Sequence, residues 1–276
     1  MKIEQEKKEM EVRINDTRWY DSLWAALVFF TRLPFWRIYQ PPRSSYAAVV
    51  EWWPLTGWLT GGVMAGVLYA GSLLMPTAVA LLLAIVARML LTGALHEDGL
   101  ADFVDGFGGG GRDRERILTI MKDSHIGTYG VIALIVYFAL LYASLLLLPH
   151  EIAPLAILAA DPFAKMVTSQ LILMMPYARN EETAKNHTVY RKPDVKAGVL
   201  LAVQGMLPMA GFLWLTRGQT DWSTLVFVPC VVMYFLYLLM WKRIRGYTGD
   251  CCGAVCLLVE LAFYLCLLAG YGSYMD

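Results

Sequence analysis

Seven stretches of about 18–23 mostly apolar residues constrain this chain more than any other feature: 54–75, 76–95, 129–148, 153–175, 197–216, 223–241 and 254–271. At ~1.5 Å rise per residue, a run of that length matches the ~30 Å hydrocarbon core of a bilayer. Composition agrees. Hydrophobic residues make up 58% of the 276 and charged ones 17%, against roughly 45–50% and 25% in ordinary soluble domains. The expected fold is all-α, a polytopic membrane bundle of about seven transmembrane helices.

Net charge is zero, but the charges are sorted. If the N-terminus is cytoplasmic and the spans alternate, the inner segments 1–43, 96–128, 176–196 and 242–245 hold twenty Lys and Arg, and the outer loops hold only Arg217. That asymmetry fits the positive-inside rule. Arg88 and Lys165 remain within spans. Residues 1–18 mix Lys with Glu, lack an apolar core and read as a polar tail, not a cleavable signal. Residues 19–276 form one membrane-embedded domain. Before the first span, Leu23, Ala26, Leu27 and Phe30 repeat at helical spacing between aromatic ends, which predicts an amphipathic helix at the inner interface. The five cysteines show no paired CxxC spacing and are read as small packing residues.

The polar inner segments carry the chemistry. In HEDGLADFVDGFGGGG, residues 96–111, Asp98, Asp102 and Asp105 stand at i, i+4 and i+7 and share one helical stripe. Like charges at that spacing repel, and no Lys interleaves them. A counter-cation relieves the repulsion. Carboxylates with positions left for water and phosphate oxygens suit Mg²⁺. His96 and Glu97 point elsewhere on the wheel, each a base or a structural hydrogen-bonding group. Arg114, Arg116 and Lys122 follow and can offer positive charge to a diphosphate, although plain positive-inside anchoring explains each taken singly. The run Gly108 to Gly111 fits neither GxxxxGK[ST] nor GxGxxG and is a weak phosphate signal. A second acidic site, Asp250 among Gly246, Gly249 and Gly253, returns to the same inner side. Two such sites on one face suit metal-assisted phosphoryl transfer.

At these residues the chain resembles the cobalamin synthase family. The matching blocks are TRLP at 31–34, HEDGLADFVDGFGGG at 96–110, RERILTIMKDSHIGTYG at 114–130, PYAR at 176–179 and GYTGDCCGA at 246–254. It departs from the family at neighbours of the acids, Phe103 and Cys252–Gly253, and leaves the acids in place. The resemblance implies a multi-pass enzyme of the inner membrane with its active site facing the cytoplasm. It would join adenosylcobinamide-GDP to α-ribazole or its 5′-phosphate, with Mg²⁺, releasing GMP. Asp98, Asp102, Asp105 and Asp250 would be its metal and catalytic carboxylates. Arg114, Arg116, Lys122, Asp123 and Gly249 would hold phosphate and nucleotide, and Asp105 or Glu97 would be the base. Membrane lipid is an expected partner, a homo-oligomer is compatible, and nucleic acid is not expected. A CDP-alcohol phosphotransferase is the nearest rival, but its DGxxAR…GxxxDxxxD pattern is absent. A secondary transporter would use intramembrane ions. Asp161, Lys165 and Glu260 are the residues to watch, with a structural ion pair the simpler account of the first two.

Overall fold

The computed structural model describes residues 18–179, 190–216 and 221–272. The polar tail lies outside the described residues except for Arg18, as does 180–189, most of the second long inner segment. The described chain is helical, with no strand among these residues beyond an isolated bridge between Tyr177 and Tyr247. Helix α1 is Trp19–Phe30, followed by 3₁₀ segments Phe35–Arg37 and Arg43–Trp52. Then come α2 (Trp53–Ser72), α3 (Thr77–Thr92), α4 (Leu95–Gly109) and the short α5 (Arg114–Ile120). The remainder are α6 (Thr128–Leu146), α7 (Ile152–Met174), α8 (Val195–Leu215), α9 (Trp222–Arg243) and α10 (Gly249–Gly272). Asp113, Asp194 and Asp221 start α5, α8 and α9 by accepting from first-turn amides that have no partner inside the helix.

Five helices, α6 to α10, are long and apolar enough to cross a membrane, and α3 with α4 makes a sixth only if that bent pair counts as one span. The expected number was seven. The first expected span falls on α2, whose glycines, threonines and tryptophans dilute its hydropathy. Those small residues serve packing instead. A Cβ on Gly57 would sit 2.9 Å from the backbone of Pro162, and one on Gly61 3.2 Å from the Ile157 carbonyl oxygen. The GxxxG spacing thus lets α2 lie almost backbone to backbone on α7. The interfacial helix appears as α1, but it docks on the bundle, burying Ala25, Ala26 and Phe30 while Trp19 stays exposed.

The second expected span ends early. Gly93 and Ala94 both adopt left-handed backbone, with φ of 66° and 56°, and turn the chain through 88° from α3 into α4. Gly93 suits that region and Ala94 does not. Arg245, at φ 56°, is the other non-glycine residue in this region among those described, and it lies in the turn from α9 to α10. The two helices carrying the acidic motifs are therefore each delivered through a strained turn.

Helix ends meet at one face. Tyr247 N–H donates to the Pro176 carbonyl and Ala178 N–H to the Tyr247 carbonyl, joining the end of α7 to the start of α10. Arg191 N–H donates to the Ala47 carbonyl, and Arg32 N–H to that of Leu91. The described parts of the basic segments thus gather at the same end of the bundle as both acidic motifs.

Candidate active site

The site begins with two glycines. Helices α4 and α10 cross where a Cβ on Gly99 would lie 3.0 Å from the Asp250 carbonyl oxygen and one on Gly253 3.2 Å from that of His96. A side chain at either position would press on the facing backbone, which would have to give by a few tenths of an ångström. Their contact brings Asp98 and Asp250, 152 residues apart in the sequence, into the wall of one cavity of about 230 Å³. Asp98 is exposed, with no side-chain hydrogen bond or ion pair to the described residues. Asp250 is buried in the first turn of α10, where the helix dipole favours a carboxylate. The Thr248 hydroxyl accepts from Cys251 N–H and donates to Asp250 at 3.3 Å. Arg179 Nη2 stands 4.0 Å from the same carboxylate.

The far wall is aromatic. Phe30 and Trp53 stack with centroids 5.4 Å apart and planes 8° from parallel, and His96 lies parallel to Trp53 at 6.3 Å. His96 Nε2 and Trp53 Nε1 are buried with no hydrogen-bond partner among the described residues. Behind His96, deeper in the bundle, lies a tight chamber lined by Glu97, Arg88, Lys165 and Glu260. Glu97 therefore faces away from the main cavity. In this interior Arg88 donates to Glu260 at 2.6 Å, and Asp161 pairs with Lys165 and accepts from Thr60 at 2.7 Å. The intramembrane charges that a transporter would use are tied to one another.

The remaining sequence candidates separate. Asp102 is half-buried and lines neither this cavity nor the second one. Asp105 is buried and receives the Gly127 and Gly130 N–H groups on its two oxygens, at 2.7 and 2.9 Å, which ties down the start of α6. The acidic stripe thus runs from an open cavity into packed structure, and only its first member meets Asp250. Arg114, Lys122 and Asp123 line a second cavity of about 650 Å³, beside Arg179. Arg114 is a brace there: its Nε donates to the Ile244 carbonyl at 2.9 Å and its Nη2 to that of Ala178 at 2.5 Å. Arg116 is exposed and belongs to neither cavity. Asp123 pairs with His125 at 2.6 Å; the imidazole lowers the carboxyl's pKa, and the carboxylate raises that of the imidazole. Gly249 lines the first cavity with open space where a side chain would go. The glycine run is not a phosphate loop. Gly108 and Gly109 are helical, Gly108 packs on the Tyr129 ring, and Gly110 packs on Ile117.

Arg179 was not among the site residues expected from sequence. Its signal was the PYAR block, which places an arginine three residues after the proline that ends α7. No group of three or more His, Cys, Asp or Glu that could hold a metal occurs among the described residues. Two cavity carboxylates remain, and Mg²⁺ characteristically takes one or two, leaving its other positions to phosphates and water.

Fold and site together define a multi-pass helical membrane protein with acids, an arginine and aromatic rings lining a cavity at one end of its bundle. Comparison with known proteins gives the family. The model of the cobalamin-5-phosphate synthase family, CobS, matches residues 22–268, and the chain belongs to that family. Among its relatives is the adenosylcobinamide-GDP ribazoletransferase of Shewanella frigidimarina, 33% identical over 94% of this chain and 98% of that protein. The proteins of the same name from Vibrio parahaemolyticus (38%; 89% of this chain, 91% of that protein) and Leptospira interrogans (34%; 90% and 95%) are also similar. No solved structure matches.

Proposed function

We propose that this protein is an adenosylcobinamide-GDP ribazoletransferase of the inner membrane, with its cavity open to the cytoplasm. It joins adenosylcobinamide-GDP to α-ribazole or its 5′-phosphate and releases GMP. The observation that carries this reading is the meeting of Asp98 and Asp250 in one cavity, at the end of the bundle where the basic segments gather. The ribazole 5′ oxygen attacks the phosphorus attached to cobinamide. A new P–O bond forms, and the bond from that phosphorus to the bridging oxygen breaks. The bridging oxygen departs with GMP.

Asp98 and Asp250 fit Mg²⁺, which when bound would neutralise charge on the phosphate oxygens. His96 accepts the proton of the attacking hydroxyl at Nε2, which has no other partner. Asp105, with both oxygens engaged, and Glu97, turned to the inner chamber, are not placed for that task. The Phe30 and Trp53 rings give the planar base of α-ribazole a surface to lie against. The protein supplies position and charge, which dominate phosphoryl transfer. Incubating the purified protein with adenosylcobinamide-GDP, α-ribazole and Mg²⁺ should release GMP in step with corrinoid product. No GMP above a protein-free control would overturn the reading.

A further inference from the structure

Among the described residues, Arg179 alone lines both cavities. On one side lie Asp98, Asp250 and the aromatic wall; on the other lie Arg114 and Lys122. The Arg179 side chain is 4% exposed. Its Nη2 donates to the Leu118 carbonyl at 3.0 Å, which fixes the guanidinium plane against the last turn of α5. Its Nη1 is buried and has no hydrogen-bond partner among the described residues. A buried guanidinium donor without a partner is rare because leaving it unmade is unfavourable. Neighbouring arginines show the alternative. Arg114, for one, spends its donors on the carbonyls of Ile244 and Ala178.

The missing partner is an acceptor that arrives from outside. A carboxylate could satisfy one nitrogen, but in the second cavity Glu115 pairs with Arg114 and Asp123 with His125, and in the first Asp250 is 4.0 Å from Nη2. We propose that Arg179 is the diphosphate-binding residue of the site. The two phosphoryl groups of a nucleoside diphosphate ester would straddle it, with the nucleotide half in the Arg114–Lys122 cavity and the reacting phosphorus on the Asp98–Asp250 side. When the P–O bond to the bridging oxygen breaks, the electron pair goes to that oxygen. Nη1 then donates to the charge growing on the departing phosphate, where a fixed donor acts most strongly. Arginine suits this task and lysine does not, because a single ammonium cannot hold the Leu118 carbonyl and a phosphate oxygen in one plane.

This assignment rests on the reaction proposed above, so its test needs a readout that does not. Full-length wild type, Arg179→Ala and Arg179→Lys are purified in detergent. Thermal midpoints are measured with and without inorganic diphosphate, and GMP release is measured alongside. Diphosphate should raise the wild-type midpoint, raise that of Arg179→Lys less, and leave Arg179→Ala unmoved. GMP release should fall about 100-fold or more in Arg179→Ala and at least about tenfold in Arg179→Lys. Millimolar guanidinium should restore at least about tenfold of the rate to Arg179→Ala and none to wild type; a structural brace would gain nothing from it. If Arg179→Ala is too unstable to purify, Arg179→Lys carries the test through its smaller diphosphate shift and lowered rate. If wild type releases no GMP, the proposed reaction fails, while loss of the diphosphate shift in the variants still sustains the anion site. An undiminished diphosphate shift in either variant, or a near-normal rate in Arg179→Ala, would overturn the assignment.

Discussion

Asp105 holds two backbone amides, and that sets what it can and cannot do. Its carboxylate receives Gly127 and Gly130 N–H at the start of α6, where the helix dipole adds to the attraction. Asp105→Asn keeps one acceptor and presents an NH₂ group to the other amide. It should lower stability by about 1–3 kcal/mol while leaving GMP release per folded molecule within a few-fold of normal. Asp98→Asn should do the reverse, keeping the thermal midpoint and losing about 100-fold or more in rate. The Asp98→Asn/Asp250→Asn pair should be little slower than the worse single variant, because groups serving one phosphate act as a unit. Strict additivity in the double variant would mean two separate sites. Three acids at i, i+4 and i+7 were readable from sequence as one face. That α4 slides from open cavity to packed interior along its length was not, because the partners of Asp105 lie 22 and 25 residues further on. The PYAR block marked Arg179 but not its role, which lies in a nitrogen left without a partner among the described residues, something no spacing records.

At the scale of elements, apolar runs located nearly every helix, and a local backbone choice supplied the main surprise. Nothing in the letters LTGALHED marks Ala94 as left-handed; Gly93 alone suggests the stop. Ala94→Gly should relieve strain worth about 1–2 kcal/mol, less the extra freedom glycine gives the unfolded chain, for a net gain of about 0.5–1 kcal/mol in stability. Gly93→Ala should lose about 2 kcal/mol or more, since the new methyl group would meet the Arg32 guanidinium as well as an unfavourable φ. Thermal denaturation of the two variants checks both, and a destabilised Ala94→Gly would contradict the strain argument. The GxxxG at Gly57 and Gly61 carries the α2–α7 contact, where the apolar run 54–75 pointed only to a span. The glycine run at 108–111 was a weak phosphate signal from the start, because packing against Tyr129 and Ile117 leaves the same mark in a sequence as a phosphate cradle does.

For the molecule as a whole, the sorting of charge predicted the face on which the helix ends gather. Ser124 lies exposed in the loop between α5 and α6, on the side of the acids, and Glu151 lies exposed in the loop between α6 and α7, at the other end. A cysteine at 124 should react with a membrane-impermeant thiol reagent only after cells are opened, and one at 151 in intact cells. The five native cysteines, none of them exposed, set a low background. Labelling at 124 in intact cells would invert the topology.

The Arg88–Glu260 pair also bears on how such a chain comes to be inserted. The partners are 172 residues apart, and Glu260 lies in α10, the last of the described helices. Until that helix is made α3 must hold a guanidinium in a lipid environment where it costs about 2.5–3.5 kcal/mol or more. Assembly of the bundle therefore stays incomplete until α10 has been made, and the bilayer itself distinguishes chains that carry it from chains that do not. A chain cut short before α10 would keep an unanswered charge in its third helix, a mark that membrane proteases can act on.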